Sequence, residues 1–222
     1  MQRGKIGIVT GLTAEARWLR SAGFMVQVGG GLPEGAARAA EALVRDGAHA
    51  LISFGLAGGL KPGVAPGSVL VPLAVIEKHQ TFPCSYELME FLGGTTGETI
   101  LAGHKIAATA HEKALLYRRS HPVAIDLESG AVARVARAHK KAFAVLRAIA
   151  DPAERDLPPA AMIALKEDGR MDLPKILFSV LGRPRQIGAL IALGRDAKAA
   201  RGALTSRLSK LPPNSPAFVA CG

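Results

Sequence analysis

Residues 123–151 read VAIDLESGAVARVARAHKKAFAVLRAIAD, and their patterning decides the fold class. Val123 to Leu127 is a short apolar run, as expected of a buried strand. Gly130 to Lys140 has a helical pattern, and Phe143 to Ile149 (FAVLRAI) is a second apolar run. Strand, helix and strand in so short a span predict a βαβ unit, with a parallel pair and a right-handed crossover.

The same alternation extends outward. Lys5 to Val9 (KIGIV) predicts a buried first strand ending at Thr10-Gly11. Thr13 is placed to cap a helix with Glu15 in its first turn and Trp18 and Leu19 behind it. Phe24 to Val28 predicts a strand broken by Gly29-Gly30-Gly31, and Glu34 to Asp46 a helix with Ala37, Ala40, Leu43 and Val44 on one face. Ala50 to Leu56 is another buried strand, running into Ala57-Gly58-Gly59, and Ser68 to Ile76 a further one. Residues 77–97 suggest loops with a short helix, Lys105 to Thr109 a strand, and His111 to Arg119 a helix. Strands alternating with helices predict an α/β fold, a three-layer α/β/α sandwich.

Beyond Asp151 the pattern turns helical. Leu173, Ile176, Leu177, Val180 and Leu181 fit one amphipathic helix over 173–181. Leu190, Leu193, Ala197, Ala200, Leu204 and Leu208 fit a longer one over 187–208, with Arg195 and Lys198 on the opposite face. Pro174 and Gly182-Arg183-Pro184 divide this tail into pieces that are expected to close against the body. The 222 residues suit a single domain, with a core over 1–156 and a helical extension over 157–210.

The formal net charge is +10, and residues 183–210 carry seven Lys or Arg against the single acid Asp196. A basic balance suggests an anionic partner: nucleic acid, an acidic membrane surface or a phosphorylated substrate. Two Tyr and one Trp leave little for base stacking, which argues against a nucleic-acid-binding module. Cys84 and Cys221 are far apart and match neither a CxxC metal site nor a disulfide framework, so they read as thiols of a reducing cytosol. The chain has no run of 18 apolar residues, and its N-terminus enters a strand at once rather than a signal peptide. The expected location is cytoplasmic, with contact at a membrane face left open.

Three acids, Glu15, Glu128 and Asp151, follow apolar strands directly or after a short turn. In open α/β sheets the ligand crevice lies at the carboxyl ends of strands, so the three can converge there. Taken singly each has a plainer explanation. The helix dipole favours Glu15 in a first turn, and Glu128 and Asp151 suit exposed loops. Gly55-Leu56-Ala57-Gly58-Gly59 would let backbone amides approach a ribose or phosphate, but it is neither a Walker A loop nor a GxGxxG fingerprint.

Read together, KIGIVTGLTAEAR (5–17), ISFGLAGGLKPGVAPGSVLVP (52–72) and AIDLESGAVARVARAHKKAFAVLRAIAD (124–151) resemble the nucleoside phosphorylase superfamily, especially the methylthioadenosine/S-adenosylhomocysteine nucleosidases. The resemblance covers roughly residues 5 to 151. Within that superfamily, GLAGGL (55–60), the AIDLES block and a tail from Asp168-Gly169-Arg170 through LFSVLGRPRQIGALIALGRDAKAA (177–200) look closest to the hopanoid-associated phosphorylases, which remove adenine from adenosylhopane.

The resemblance implies a mixed, largely parallel twisted sheet and cleavage of the N-glycosidic bond of a purine nucleoside by water or phosphate. Adenine departs poorly as an anion, and Asp151 stands at the family's position for the acid that protonates N7. Glu128 matches the carboxylate that holds the ribose hydroxyls and stabilises the cationic sugar, with Leu127 as an apolar contact. Glu15 matches the glutamate that activates water. Leu56, Ala57 and Gly58 line the expected binding site, and His111 is a candidate cover for the sugar. No metal or cofactor is implied, though phosphate is a possible co-substrate.

Phosphorolysis calls for arginines around the phosphate. The first loop has none, and Ser53 and Phe54 stand before the glycines, which favours hydrolysis. Leu56 and Ala150 replace family serines, making the pocket more apolar and better suited to a nucleoside with a hydrophobic 5′ substituent. Thr109 to Glu112, the expected adenine segment, aligns poorly, Asp126 takes no role, and the face to which Arg147 points is open. The alternatives are a methylthioadenosine/S-adenosylhomocysteine nucleosidase and a purine nucleoside phosphorylase. The resemblance further implies a homodimer or larger assembly, and a lipid-linked substrate would bring the basic C-terminal helices to a membrane surface.

Overall fold

The computed structural model describes residues 5–162 and 186–212. A nine-stranded mixed sheet forms its middle, in the order β2-β1-β3-β8-β7-β5-β6, with β9 pairing to β3 and β4 to β9. The strands are β1 (Ile6–Thr10), β2 (Met25–Val28), β3 (Ala50–Gly59), β4 (Val69–Leu70), β5 (Ala74–Glu77), β6 (Gln80–Pro83), β7 (Thr99–Ala102), β8 (Ala124–Asp126) and β9 (Ala142–Asp151). Pairings β1/β2, β1/β3, β3/β9, β5/β7 and β7/β8 are parallel, whereas β3/β8, β4/β9 and β5/β6 are antiparallel. The sheet is therefore mixed and largely parallel, as expected.

β1, β3 and β9 are central and covered by helices, which is why they read as near-continuous apolar runs. The helices are α1 (Thr13–Ser21), α2 (Pro33–Arg45), α3 (Tyr86–Phe91), α4 (Ala110–Ser120), α5 (Ser129–Ala138), the short α6 (Pro159–Met162) and α7 (Ile187–Ser209). Pro33 opens α2 at a position where its missing N–H costs nothing. Gly35, Ala36, Ala39, Ala40 and Leu43 bury its inner face. A side chain at Gly35 would strike the Gly29 carbonyl at 1.9 Å, so α2 seats directly on the turn after β2. α2 also packs against α5, while α7 lies on β9, β3 and β4.

Several sequence expectations change. Val123–Leu127 and Phe143–Ile149 do not form a paired βαβ unit. β8 joins β7 in parallel and only the end of β3, antiparallel, while β9 lies along β3. The stretch Ser68–Ile76 is two strands, because Pro72 has no N–H to donate and the chain leaves β9 there to join β7 and β6. Lys105–Thr109 is not a strand; the strand of this region is Thr99–Ala102. Gln80–Pro83 makes a hairpin with β5 within a segment expected to be loops and a short helix. The glycines after Leu56 are not a loop either: β3 continues to Gly59, with a register shift at Ala57/Gly58. Leu12, not Thr13, occupies the cap position of α1, without a side-chain cap. Leu173–Leu181 and Cys221 fall outside the described residues.

The apolar stripe of α7 turns inward, as most amphipathic helices do. Ala200, Leu204 and Leu208 are buried in the core cluster, and Arg207 donates to the Leu92 and Gly93 carbonyls. Leu190, Leu193 and Ala197, nearer its start, stay half-buried over the cavity described next.

Candidate active site

β1 ends at Thr10, β8 at Asp126 and β9 at Asp151, and a cavity of about 660 Å³ opens beside these ends and Gly58 of β3. Glu15, Glu128 and Asp151 all line it, so the three acids share one cavity. Each is held inside the fold, with 1 %, 4 % and 7 % of its surface exposed. Leu56, Ala57, Gly58 and Leu127 also line it, as expected from their positions. His111 does not. It lies in the first turn of α4, exposed and outside the lining.

Thr109–Glu112 is likewise spoken for by structure rather than ligand. Thr109 accepts from Glu112 N while the Glu112 carboxylate accepts from Thr109 N, a capping box that starts α4. Lys105, Ile106 and Ala107 reach the cavity instead.

Arg147, whose orientation the sequence left open, faces the carboxylates and is 2 % exposed. Its Nε lies 2.6 Å from Asp126 Oδ2 and its Nη2 3.4 Å from Glu128 Oε2. Nη2 also donates to Ser53 Oγ at 2.7 Å, and Nη1 to the Leu56 carbonyl at 3.4 Å. Asp126, given no role by the resemblance, also accepts from the Ser129 hydroxyl and, at 3.0 Å, from Ser129 N. A guanidinium can be buried in a strand only when its charge is matched in this way. The strand opposite makes room: Gly55 pairs with Arg147 at φ +146°, and a Cβ there would meet Arg147 Nη1 at 2.7 Å.

Glu15 accepts a 2.5 Å hydrogen bond from Thr10 Oγ1 on Oε2, while Oε1 has no hydrogen-bond partner among the described residues. Burial raises its pKa, against the pull of Thr10, Arg147 and Arg201. A carboxylate moved towards neutrality with one free oxygen is suited to take a proton from water.

Glu128 follows β8 by two residues and accepts from Gly31 N at 3.2 Å. Burial pushes it up to about 7, with Asp126 and Glu15 adding to the rise and Arg147 opposing it. Two opposite pH effects are expected. Folding favours the protonated acid, so its contribution to stability is complete below the ordinary value of 4.5 and is lost as pH climbs through about 7. In the role that the resemblance implies for Glu128, stabilising a sugar cation needs the ionised form, so kcat/KM should rise through about 7 while the melting temperature falls. Paired pH profiles of turnover and thermal melting check this; Glu128→Gln should flatten both over that interval.

Asp151 also stands above its ordinary value because burial outweighs its partners. The largest opposing influence is Lys113, whose Nζ lies 2.6 Å from Asp151 Oδ2. A lysine in a helix that also carries Glu112, Arg118 and Arg119 reads as a solvated surface residue, so no sequence signal marked it. Arg147 was in view, but its partners could be found only in three dimensions.

The rest of the wall is apolar. Leu12, Ile125 and Leu157 join Leu56, and Leu190 and Leu193 of α7 extend the surface away from the acids. No group of three His, Cys, Asp or Glu residues is placed to hold a metal ion among the described residues.

Comparison with known proteins gives a consistent fold. Residues 18–98 match the family model of the Phosphorylase superfamily. No curated protein matches by sequence. The 5′-methylthioadenosine/S-adenosylhomocysteine nucleosidase of Neisseria meningitidis, solved with methylthio-immucillin-A, aligns with a TM-score of 0.67 and 16 % identity, covering 93 % of this chain and 99 % of that one. The futalosine hydrolase of Helicobacter pylori gives 0.66 at 15 % identity, covering 94 % and 99 %. The S-adenosylhomocysteine nucleosidase of Streptococcus pyogenes, in complex with 5-methylthiotubericidin, gives 0.65 at 18 % identity, covering 96 % and 99 %. The chain has the α/β fold of these nucleosidases.

Proposed function

We propose that the protein is an enzyme that hydrolyses the N-glycosidic bond of a purine riboside carrying a large apolar 5′ substituent. The observation that carries this reading is the convergence of Glu15, Glu128 and Asp151 on one cavity whose remaining wall is mostly apolar. In the assigned roles Asp151 delivers a proton to the departing base, Glu128 holds the ribose hydroxyls and faces the growing positive charge, and Glu15 receives a proton from the attacking water.

Water is favoured over phosphate by the pairing of Arg147. Its Nη groups donate to Glu128, Ser53 and the Leu56 carbonyl, and its charge is matched by Asp126 2.6 Å from Nε, so little of the guanidinium is left for an anion. The unpartnered oxygen of Glu15 would also repel phosphate.

The apolar reach towards Leu190 and Leu193 supports a hydrophobic 5′ group, and the resemblance to the hopanoid-associated phosphorylases points to adenosylhopane, with adenine as product. The cavity's 660 Å³ lies within the roughly 300–1,000 Å³ usual for small-molecule sites. No helix among the described residues is long and apolar enough to cross a membrane. The outward-facing Ile187 and Ile191, 44 % and 52 % exposed, with Arg195 and Lys198 exposed further along α7, would bring the cavity mouth to an anionic bilayer that holds such a substrate.

The second reading, a nucleosidase for small thioether nucleosides, rests on the fold shared with the Neisseria enzyme. Chain length separates the two. A dodecyl chain has eleven more methylenes than a methyl group, and burying even three of them contributes about 2–3 kcal/mol, so kcat/KM for 5′-dodecylthio-5′-deoxyadenosine should exceed that for methylthioadenosine by roughly a hundredfold or more. Faster release of adenine from methylthioadenosine would remove the case for a lipid-like substrate. Run with phosphate present, the assay should yield a sugar that carries none; a sugar 1-phosphate would overturn hydrolysis.

A further inference from the structure

One buried charge at the site has no part in the chemistry above. Lys113, the fourth residue of α4, is 0 % exposed. Its Nζ lies 2.6 Å from Asp151 Oδ2 and donates to the Pro152 carbonyl at 2.8 Å and the Arg155 carbonyl at 2.7 Å. An ammonium has three N–H donors, and three acceptors surround this one. A lysine stem normally reaches for solvent; here the head group is drawn inward instead.

The surroundings hold that arrangement. Leu157 N donates to the Ala108 carbonyl and Ala110 N to Asp156 Oδ1, both at 2.7 Å, which ties the chain after Asp151 to the start of α4. The other charged groups around the pair are Glu154, Arg155 and Asp196, and Arg155 is itself paired with Asp196 of α7.

With its oxygen 2.6 Å from an ammonium, Asp151 has a second proton source directly behind it. Away from water the separated charges lose their hydration, which brings the neutral amine–carboxylic acid pair closer in energy to the ion pair.

Resting on the nucleosidase reading, we propose that Lys113 is the source of the proton that leaves with the base, passed through Asp151. As the C1′–N9 bond breaks, its electron pair moves into the purine ring. N7 takes a proton from the Asp151 carboxyl, and Asp151 takes one from Lys113 Nζ, leaving a carboxylate and a neutral amine. Water adds to C1′ and gives its proton to Glu15. The neutral purine departs, and Glu15 and Lys113 return to their resting states through solvent. Lys113 touches no substrate atom, so it is a positioning and proton-supplying residue behind Asp151.

Lys113→Arg tests this, because a guanidinium keeps the positive charge but does not give up its proton. Two ribosides with the same 5′-dodecylthio group are compared, one carrying adenine and one carrying 4-nitrophenol, which leaves without a proton. The variant should lose about a hundredfold or more in kcat for adenine release and stay within about threefold for nitrophenol release. Nitrophenol turnover with an unchanged melting temperature certifies a folded site. Equal losses on both ribosides, or no loss on either, would overturn the proposal and leave the hydrolase reading standing. Failure of the wild-type protein to release adenine would overturn both.

Discussion

Asp151→Asn is expected to abolish measurable adenine release from a folded protein. Asparagine matches the carboxyl group in size but carries no proton acidic enough to follow the bond as it breaks. General acid catalysis contributes roughly 10²–10⁴-fold, so turnover should fall by at least two orders of magnitude. A cost in stability accompanies this loss, because Lys113 would keep its two carbonyl acceptors and lose its carboxylate. Removing one member of a buried ion pair typically costs about 3–5 kcal/mol. Turnover is therefore to be measured well below the variant's melting temperature. Near-normal release by a folded Asp151→Asn protein would refute its assignment as the acid.

Glu128→Gln is the second large effect. The amide still has an oxygen for Gly31 N, and Arg147 keeps Asp126 and Ser53, so the local structure should survive. What disappears, in the proposed role, is the negative charge facing C1′ as the sugar becomes a cation. By analogy with removal of one oriented electrostatic group, the loss should be about 3 kcal/mol, or roughly a hundredfold or more in kcat. Steady-state kinetics should place it in kcat rather than in KM, because the lost interaction strengthens only in the transition state. An effect confined to KM would make Glu128 a ground-state binder and nothing more.

These two effects rest on residues that were visible in the sequence, and the reason is physical. Strands buried on both faces must be apolar throughout, so β1, β3 and β9 stood out, and an acid at the end of such a run was conspicuous at Asp151 and, two residues past β8, at Glu128. Where pattern and structure parted, a local detail overrode the apolar signal. Pro72 splits an unbroken apolar stretch between two partner strands. The β3/β8 contact involves only two residues on each strand, too short to leave a period. His111 and Lys113 show the same limit in side chains. A histidine within the expected adenine segment lies on the surface, while a lysine two residues later, with no mark in the sequence, reaches the acid through α4. Burial of a charge depends on which acceptors the fold brings to it, and the acceptors of Lys113 lie 38 to 42 residues away, on Asp151, Pro152 and Arg155.

The apolar stripe of α7 is a case where periodicity was informative and its use was not. The spacing from Leu190 to Leu208 predicted an amphipathic helix and left its partner open between lipid and protein. In the fold its later half packs on the sheet, and its earlier half roofs the cavity that holds the acids. The same stripe thus serves stability at one end and shapes the candidate substrate path at the other.

A crystal structure with adenine and a cationic iminoribitol bound together tests the central claim most directly. The purine should lie with N7 within hydrogen-bond distance of an Asp151 oxygen, and the iminoribitol hydroxyls on Glu128. A water between Glu15 and the ring should face the carbon equivalent to C1′. Adenine bound elsewhere, or bound here with its N7 turned away from Asp151, would contradict the account.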